Sequence, residues 1–292
     1  MRRTVLVAVA LVSAIGSVAS ADFVLFGNSK KPEVEPNNQF VHPITSPYYN
    51  EDSFVTSDVR LWAVYHDFAN SSIINGGSAK VYAAQVRVAL TDKLQLVAYK
   101  DGYVDFDSGL VQDSGWNDVA AGLKYAFLQD WENQMHAAVG IGYEAPIGSP
   151  GVFQNDDDIR AWVSFDKGFD AFHIGANASY LYSLSDEDEG ALGSSDTLNW
   201  HIHADYWINE YVSPVVELNG YHVMNRGSEA VPFSGVDVAT FGGGGDVITA
   251  GFGVEVRPID NLGLRGAYEL PITQDDDDLF GWRLTFSAVY SF

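Results

Sequence analysis

His201, His203 and Asp205 are spaced two residues apart, so on an extended strand their side chains leave from one face. Two imidazoles and a carboxylate on one face, with Ser179, Asn177 and Glu217 in neighbouring segments, are the groups that acyl transfer uses. Two histidines at this spacing also offer two ligands to a metal, although a zinc site takes three or four. The ordinary alternative is a polar interior in which histidines hydrogen-bond to carboxylates. The same spacing of two places Arg60, Arg87, Lys124, Arg160, Arg257, Arg265 and Arg283 on one face of their segments, together with Glu255 and Glu269. If that face meets water, such groups select solutes by charge. If it is closed, they form ion pairs across neighbouring strands.

These charges need elements that hide one face and wet the other. From Phe280 to Phe292 the chain supplies one: Trp282, Leu284, Phe286, Ala288, Tyr290 and Phe292 alternate with Gly281, Arg283, Thr285, Ser287, Val289 and Ser291. Period two with one apolar face is the mark of an antiparallel strand. Similar segments run near 58–68, 79–90, 93–101, 116–128, 134–146, 158–167, 170–182, 197–208, 211–223, 246–257 and 261–271, twelve with the last. Their length suits tilted membrane strands, and their number is even, as in single-chain bacterial barrels. Tight connections at 91–93, 128–133, 167–169, 209–210 and 258–261 alternate with longer ones near 69–78, 102–115, 147–157, 183–196, 224–245 and 272–279. This is the pattern of short periplasmic turns and long external loops, with both chain ends in the periplasm.

A last strand ending on Phe292 with Tyr290 two residues before it resembles the closing strand of Gram-negative outer-membrane β-barrels, the porin-like superfamily. The resemblance covers residues 58 to 292. It implies an all-β fold, a transmembrane antiparallel up-and-down barrel of about twelve strands in the outer membrane. Lipid, lipopolysaccharide and, through the C-terminal strand, the barrel-assembly machinery would be its partners. The stretches Pro43-Ile44-Thr45-Ser46-Pro47-Tyr48-Tyr49, Asp118 to Phe127 and Gly142-Tyr143-Glu144-Ala145-Pro146 are similar to transporter-like barrels grouped with phenol-degradation pathway proteins. That likeness implies uptake of small molecules, aromatic ones among them.

Aromatic residues mark both ends of the apolar faces. Tyr65, Tyr82, Tyr143, Tyr180, Tyr182, Tyr268 and Trp282 fall at the outer ends, and Tyr125, Phe127, Phe165, Phe172, Tyr206, Tyr290 and Phe292 at the inner ends. Two such girdles suit the headgroup regions of a bilayer. Arg2 and Arg3, an apolar run from Val5 to Val18 and Ala19-Ser20-Ala21 read as an export signal over residues 1–21. Residues 22–57, broken by Pro32, Pro36, Pro43 and Pro47, read as an irregular leader that lies in the periplasm or tucks into the barrel. There is no cysteine, which excludes disulfide scaffolds and thiol chemistry, and 39 acidic residues against 16 basic ones exclude nucleic acid as a partner.

The reading that follows is a passive, porin-like channel for small solutes. Its pore lining is Arg60, Arg87, Lys124, Arg160, His201, His203, Asp205, Glu217, Glu255, Arg257, Arg265, Glu269 and Arg283, and inward glycines such as Gly140, Gly142, Gly175, Gly251, Gly253 and Gly263 leave room for a solute. Three acidic runs crowd the external loops: Asp156, Asp157 and Asp158; Asp186, Glu187, Asp188 and Glu189; Asp275, Asp276, Asp277 and Asp278. Together they form a mouth that attracts cations or holds loop-bound Ca2+. No other cofactor is implied. The alternative is a structural or adhesion barrel with a closed lumen. An enzyme is not expected: His201 is followed by Ile202 and His203 rather than by the His-x-Ser-Asn pattern of barrel phospholipases, and barrel proteases carry their Asp and His-Asp pairs at the outer rim.

Overall fold

The computed structural model describes residues 23–27, 29, 32, 35–72, 75–109, 111–154, 157–184, 196–225, 246–273 and 280–292. The predicted export signal, residues 1–21, lies outside them, as do Asp156, the run Asp186 to Glu189 and the run Asp275 to Asp278.

The described strands are β1 (Asp58–Phe68), β2 (Gly77–Ala89), β3 (Leu94–Lys100), β4 (Tyr103–Ser108), β5 (Gln112–Trp116), β6 (Val119–Asp130), β7 (Met135–Ala145), β8 (Asp158–Phe169), β9 (Phe172–Ser183), β10 (Asp196–Tyr206), β11 (Val212–Asn225), β12 (Asp246–Ile259), β13 (Leu262–Thr273) and β14 (Phe280–Ser291). Every pairing is antiparallel, each strand from β6 to β13 pairs with the one that follows it, and β1 pairs with both β2 and β14, Asp58 lying opposite Ser291. The sheet therefore closes on itself, leaving β5, which pairs with β4 alone, as its one free edge among the described residues.

Twelve staves make the wall, because β5 and β6 are one stave in two pieces and so are β3 and β4. β3 and β4 both pair with β2, at Val86 opposite Ala98 and at Tyr82 opposite Tyr103. The break falls at Asp101 and Gly102. Gly102 has φ +113°, and a Cβ there would lie 2.5 Å from the Tyr82 carbonyl oxygen, so only glycine fits. The Asp101 carboxylate accepts the Ala84 amide at 3.1 Å, filling the missing rung of the ladder. Above the break β4 and β5 form a hairpin, with Tyr103 opposite Trp116. The Gly and Asp content of 102–115 predicts a loop; Val104 and Phe106 nevertheless alternate and are buried.

Side chains alternate along each stave as the period of two requires. On β8, Ile159, Ala161, Val163 and Phe165 face outward while Asp158, Arg160, Trp162, Ser164 and Asp166 are buried. Outward rings stack where one girdle is expected, Tyr65 on Trp282 at 5.2 Å and Tyr268 near Trp282 at 5.9 Å. One residue departs from the expected phase. Trp282 lies opposite Asp67 but Phe280 opposite Phe68, so Gly281 is an extra residue in a β-bulge. The slip turns Phe280 inward, where it joins Phe68, Val64, Val81 and Phe106 in an apolar cluster.

The inward glycines are not free space. A Cβ on Gly140 would meet the Trp162 ring at 2.1 Å, one on Gly142 the Tyr99 ring at 2.6 Å, and one on Gly251 the Thr45 side chain at 2.6 Å. Because Trp162 is itself buried, Gly140→Val is expected to lower barrel stability by roughly 1–3 kcal/mol, the usual cost of overpacking. The temperature at which the folded band is lost in a heat-modifiability gel measures it.

Candidate functional site

The lumen is occupied by the leader. Residues 37–57 rise from the rim of tight turns, reverse at Ser46 to Asn50 and come back down to β1. The reversal is closed by amides of Tyr49 and Asn50 donating to the Ser46 carbonyl at 3.1 and 3.0 Å, with Ser46 at φ 56°. Pro43 and Pro47 carry no N–H and cannot join a ladder, so this hairpin satisfies its backbone on side chains of the wall.

On the rising arm, His173 Nε2 faces the Asn37 carbonyl at 3.1 Å and Arg257 Nη1 donates to Gln39 at 2.5 Å. The Val41 amide donates to Asp205 at 3.2 Å. The amides of Ile44 and Thr45 both donate to Glu217, at 2.9 and 2.5 Å, and the Thr45 hydroxyl reaches the same carboxylate. At the tip, Tyr48 Oη donates to the Asp101 carbonyl at 2.8 Å, and Arg160 donates to the carbonyls of Tyr48, at 2.7 Å, and Tyr49. On the falling arm, Glu51 pairs with Arg87 at 2.5 Å and Asp52 with Lys124 at 3.2 Å. The Ser53 amide donates to Asp166 at 2.7 Å, and the Phe54 ring lies 4.8 Å from that of His136.

All the residues proposed from the sequence as pore lining face inward, and all but the half-buried Arg257 are buried. Their pairing divides them into two groups. Glu255 holds Arg257 at 2.5 Å and Arg265 at 2.6 Å, and Arg283 donates to Glu269 at 2.5 and 2.8 Å, so this side of the wall is self-paired across strands as expected. Arg87, Lys124 and Arg160 instead take their partners from the hairpin. His203 sits between Glu217 at 2.7 Å and Asp205 at 3.2 Å, and Asp205 also meets His173 at 2.7 Å. His201 bonds Asn219 at 2.8 Å, and the Ser179 hydroxyl has no hydrogen-bond partner among the described residues. His203 is thus enclosed in the network that carries the hairpin rather than placed as a base beside a hydroxyl. Of the acidic loop residues, Asp158 is buried on the lumen face at the start of β8 and Asp157 is half-buried.

Sequence reasoning missed His173, Lys100 and the acids of the leader. The available signal was Glu51-Asp52 inside a proline-broken stretch, set against basic residues in excess of the acids on neighbouring inward positions of β1, β2 and β6. Between the arms of the hairpin and the wall, toward the tight-turn rim, a cavity of about 610 Å³ is lined by Phe40, Phe54, Trp131, His136, Arg257 and Arg265 among others.

Two hairpin groups make docking depend on pH. Burial lowers the His42 imidazole below its ordinary 6.5; Asp52, 2.5 Å away, opposes this, and Arg60 and Arg265 add to it. Burial alone would raise Asp52, but Lys124, His42 and Arg60 outweigh it and hold its carboxyl well below the ordinary 3.8. A lowered histidine stabilises the docked state above pH 6.5, and that contribution is lost as pH falls below it; a lowered carboxylate keeps its contribution until pH falls below 3.8. The hairpin is therefore expected to loosen in part between pH 6.5 and 5 and to hold its Asp52 contacts there. A spin label on Ser46→Cys, unique in a chain without cysteine, measures this as tip mobility, and His42→Asn should flatten the profile.

No protein-family model matches the chain, and no curated protein matches its sequence. The barrel superposes on the crystal structure of an outer membrane channel from Pseudomonas putida F1 with a TM-score of 0.59, at 13% identity, over 84% of this chain and 98% of that one. The fold is that of an outer-membrane β-barrel. The same barrel fold matches the transport unit of the autotransporter AIDA-I from Escherichia coli (TM-score 0.50, 12% identity, 81% of this chain and 90% of that one). It also matches the NanC porin (TM-score 0.49, 12% identity, 81% and 98%).

Proposed function

We propose that this outer-membrane barrel is a passive channel for small solutes whose lumen is closed by its own hairpin, residues 37–57. One observation carries the reading: the hairpin is held in the lumen largely through charged and hydrogen-bonding groups of the wall. A wall that binds a peptide segment through polar groups presents a hydrated, charged surface when the segment leaves, whereas an apolar core would collapse. Residues 1–21 direct export, β14 is the strand offered to the assembly machinery, and lipid and lipopolysaccharide surround the apolar faces. The acidic runs of the outer loops add negative potential at the external mouth, favouring cations there and offering carboxylates to calcium, which would bridge them to lipopolysaccharide phosphates.

Single-channel conductance of the refolded mature chain, with and without residues 22–57, tests the reading. Rare, small openings of the intact chain and steady openings of the shortened one are expected. Silence from both, with the barrel shown to be folded, would transfer the assignment to a structural or adhesion barrel, the reading favoured by how completely the hairpin fills the middle of the lumen.

A further inference from the structure

The hairpin lies between two unlike walls. On one side Arg60 of β1, Arg87 of β2 and Lys124 of β6 converge on two adjacent carboxylates. Arg87 Nη2 is 2.5 Å from Glu51 Oε1, Lys124 Nζ is 3.2 Å from Asp52 Oδ1 and 3.9 Å from Glu51 Oε2, and Arg60 Nη2 is 3.7 Å from Asp52 Oδ2. None of the three cations is more than 1% exposed. Arg60 also has Asp58 of its own strand at 2.8 Å. Among the described residues, Arg87 and Lys124 have no wall carboxylate within ion-pair distance, so the hairpin supplies their counter-charge. Across the lumen the polarity reverses. Glu217, Asp205 and Asp166 take N–H groups of the hairpin, from Ile44 and Thr45, from Val41 and from Ser53 respectively. Between these walls, Ser164 Oγ and Asn177 Nδ2 donate to the Glu51 carbonyl at 2.5 and 3.0 Å.

A buried cation that loses its partner is strongly destabilising unless water or another anion replaces it. Withdrawal of the hairpin leaves a three-cation cluster on one wall and a row of acceptors on the other. A solute that takes its place meets the demands the hairpin now meets: carboxylate for the basic wall, N–H donors for the acidic wall, a carbonyl between. We infer that Arg60, Arg87 and Lys124 form a carboxylate-binding subsite for the transported solute, that the hairpin occupies it as a stand-in, and that the solute class is short acidic peptides. The inference rests on the channel reading and deepens it.

The test uses the full mature chain carrying E51Q/D52N, and in parallel E51K/D52K, which sets like charges against Arg87 and Lys124 and drives the hairpin off. Heat-modifiable migration confirms that each barrel is folded. Calorimetric titration with the dipeptide glutamyl-aspartate, against the isosteric glutaminyl-asparagine, is expected to show at least tenfold tighter binding of the acidic dipeptide. Adding R87Q/K124Q should abolish the preference. In planar bilayers the same variants should pass a current that millimolar glutamyl-aspartate blocks and glutaminyl-asparagine does not. Equal or absent binding of the two dipeptides in both variants overturns the inference, whether or not current flows. A clear binding preference with electrical silence leaves the subsite standing and removes the channel.

Discussion

Replacing Glu217 by alanine is expected to open the lumen. In the closed barrel this one carboxylate accepts the amides of Ile44 and Thr45 and the Thr45 hydroxyl, and it lies 2.7 Å from His203 Nδ1. Without it two backbone N–H groups are left buried and unpaired, and an imidazole loses one of its two carboxylates. Breaking a buried charged pair in this way costs roughly 3–5 kcal/mol. The cost falls on the docked state, because after withdrawal the same groups meet water. Every 1.4 kcal/mol is about tenfold, so the open fraction should rise on the order of a hundredfold to a few thousandfold. Single-channel recording reads it as a change from rare to prolonged openings. Glu217→Gln keeps one acceptor oxygen and should give a smaller change in the same direction. A closed barrel with Glu217→Ala would mean that the hairpin is held elsewhere.

Arg160 gives the second large effect, by different physics. It is fully buried, and no carboxylate lies within ion-pair distance among the described residues; its guanidinium lies 5.5, 5.0 and 4.8 Å from the rings of Tyr49, Tyr99 and Trp162. It donates to the carbonyls of Tyr48 and Tyr49, which makes it the clasp on the turn of the hairpin. Arg160→Ala leaves those two carbonyls without donors, about 1–3 kcal/mol each, and removes cation–π contacts worth about 0.5–2 kcal/mol. The expected result is a mobile tip on rising and falling arms that stay docked, read as fast motion of a spin label on Ser46→Cys with a slow label on Val41→Cys. Arg160→Lys should not rescue the tip, because a single ammonium cannot reproduce the planar fork that spans two carbonyls and stacks on rings. Wild-type tip mobility in Arg160→Lys would show that only charge matters there.

The wall was legible in the sequence because a lipid-facing strand imposes alternation along its whole length, and that pattern survives without any knowledge of neighbours. Strand number and the alternation of short and long connections follow from it. The inward turn of Phe280 was not legible because a single extra residue, Gly281, reverses the phase, and nothing in an alternating string marks where a bulge will fall. The Tyr103 to Trp116 hairpin was hidden by its aspartates, which are acceptable on a strand beyond the bilayer but read as loop by composition. The leader was the largest loss. Its arms have no period, since each residue is fixed by whichever wall group it meets: Ile44 and Thr45 by Glu217, Ser53 by Asp166, Tyr48 by Arg160. Inward charges were expected to pair across strands. Glu255 with Arg265 and Glu269 with Arg283 do so, while Arg87 and Lys124 pair with chain that precedes the barrel. Spacing along a strand reports which face a residue occupies; it carries no information about a partner arriving from outside the sheet.

The two ends of the hairpin leave by the same rim. Phe23 donates its amide to the Phe292 carbonyl and Phe292 donates its own to the Ser57 carbonyl, both at 3.0 Å, so the points where the leader arrives and departs are fastened to Phe292, the residue after β14. A segment anchored this way fills the barrel as a finger fills a glove. It can be inserted after the cylinder has closed and drawn out again without any free end crossing the bilayer, and the closing β1–β14 seam need never reopen to let it pass.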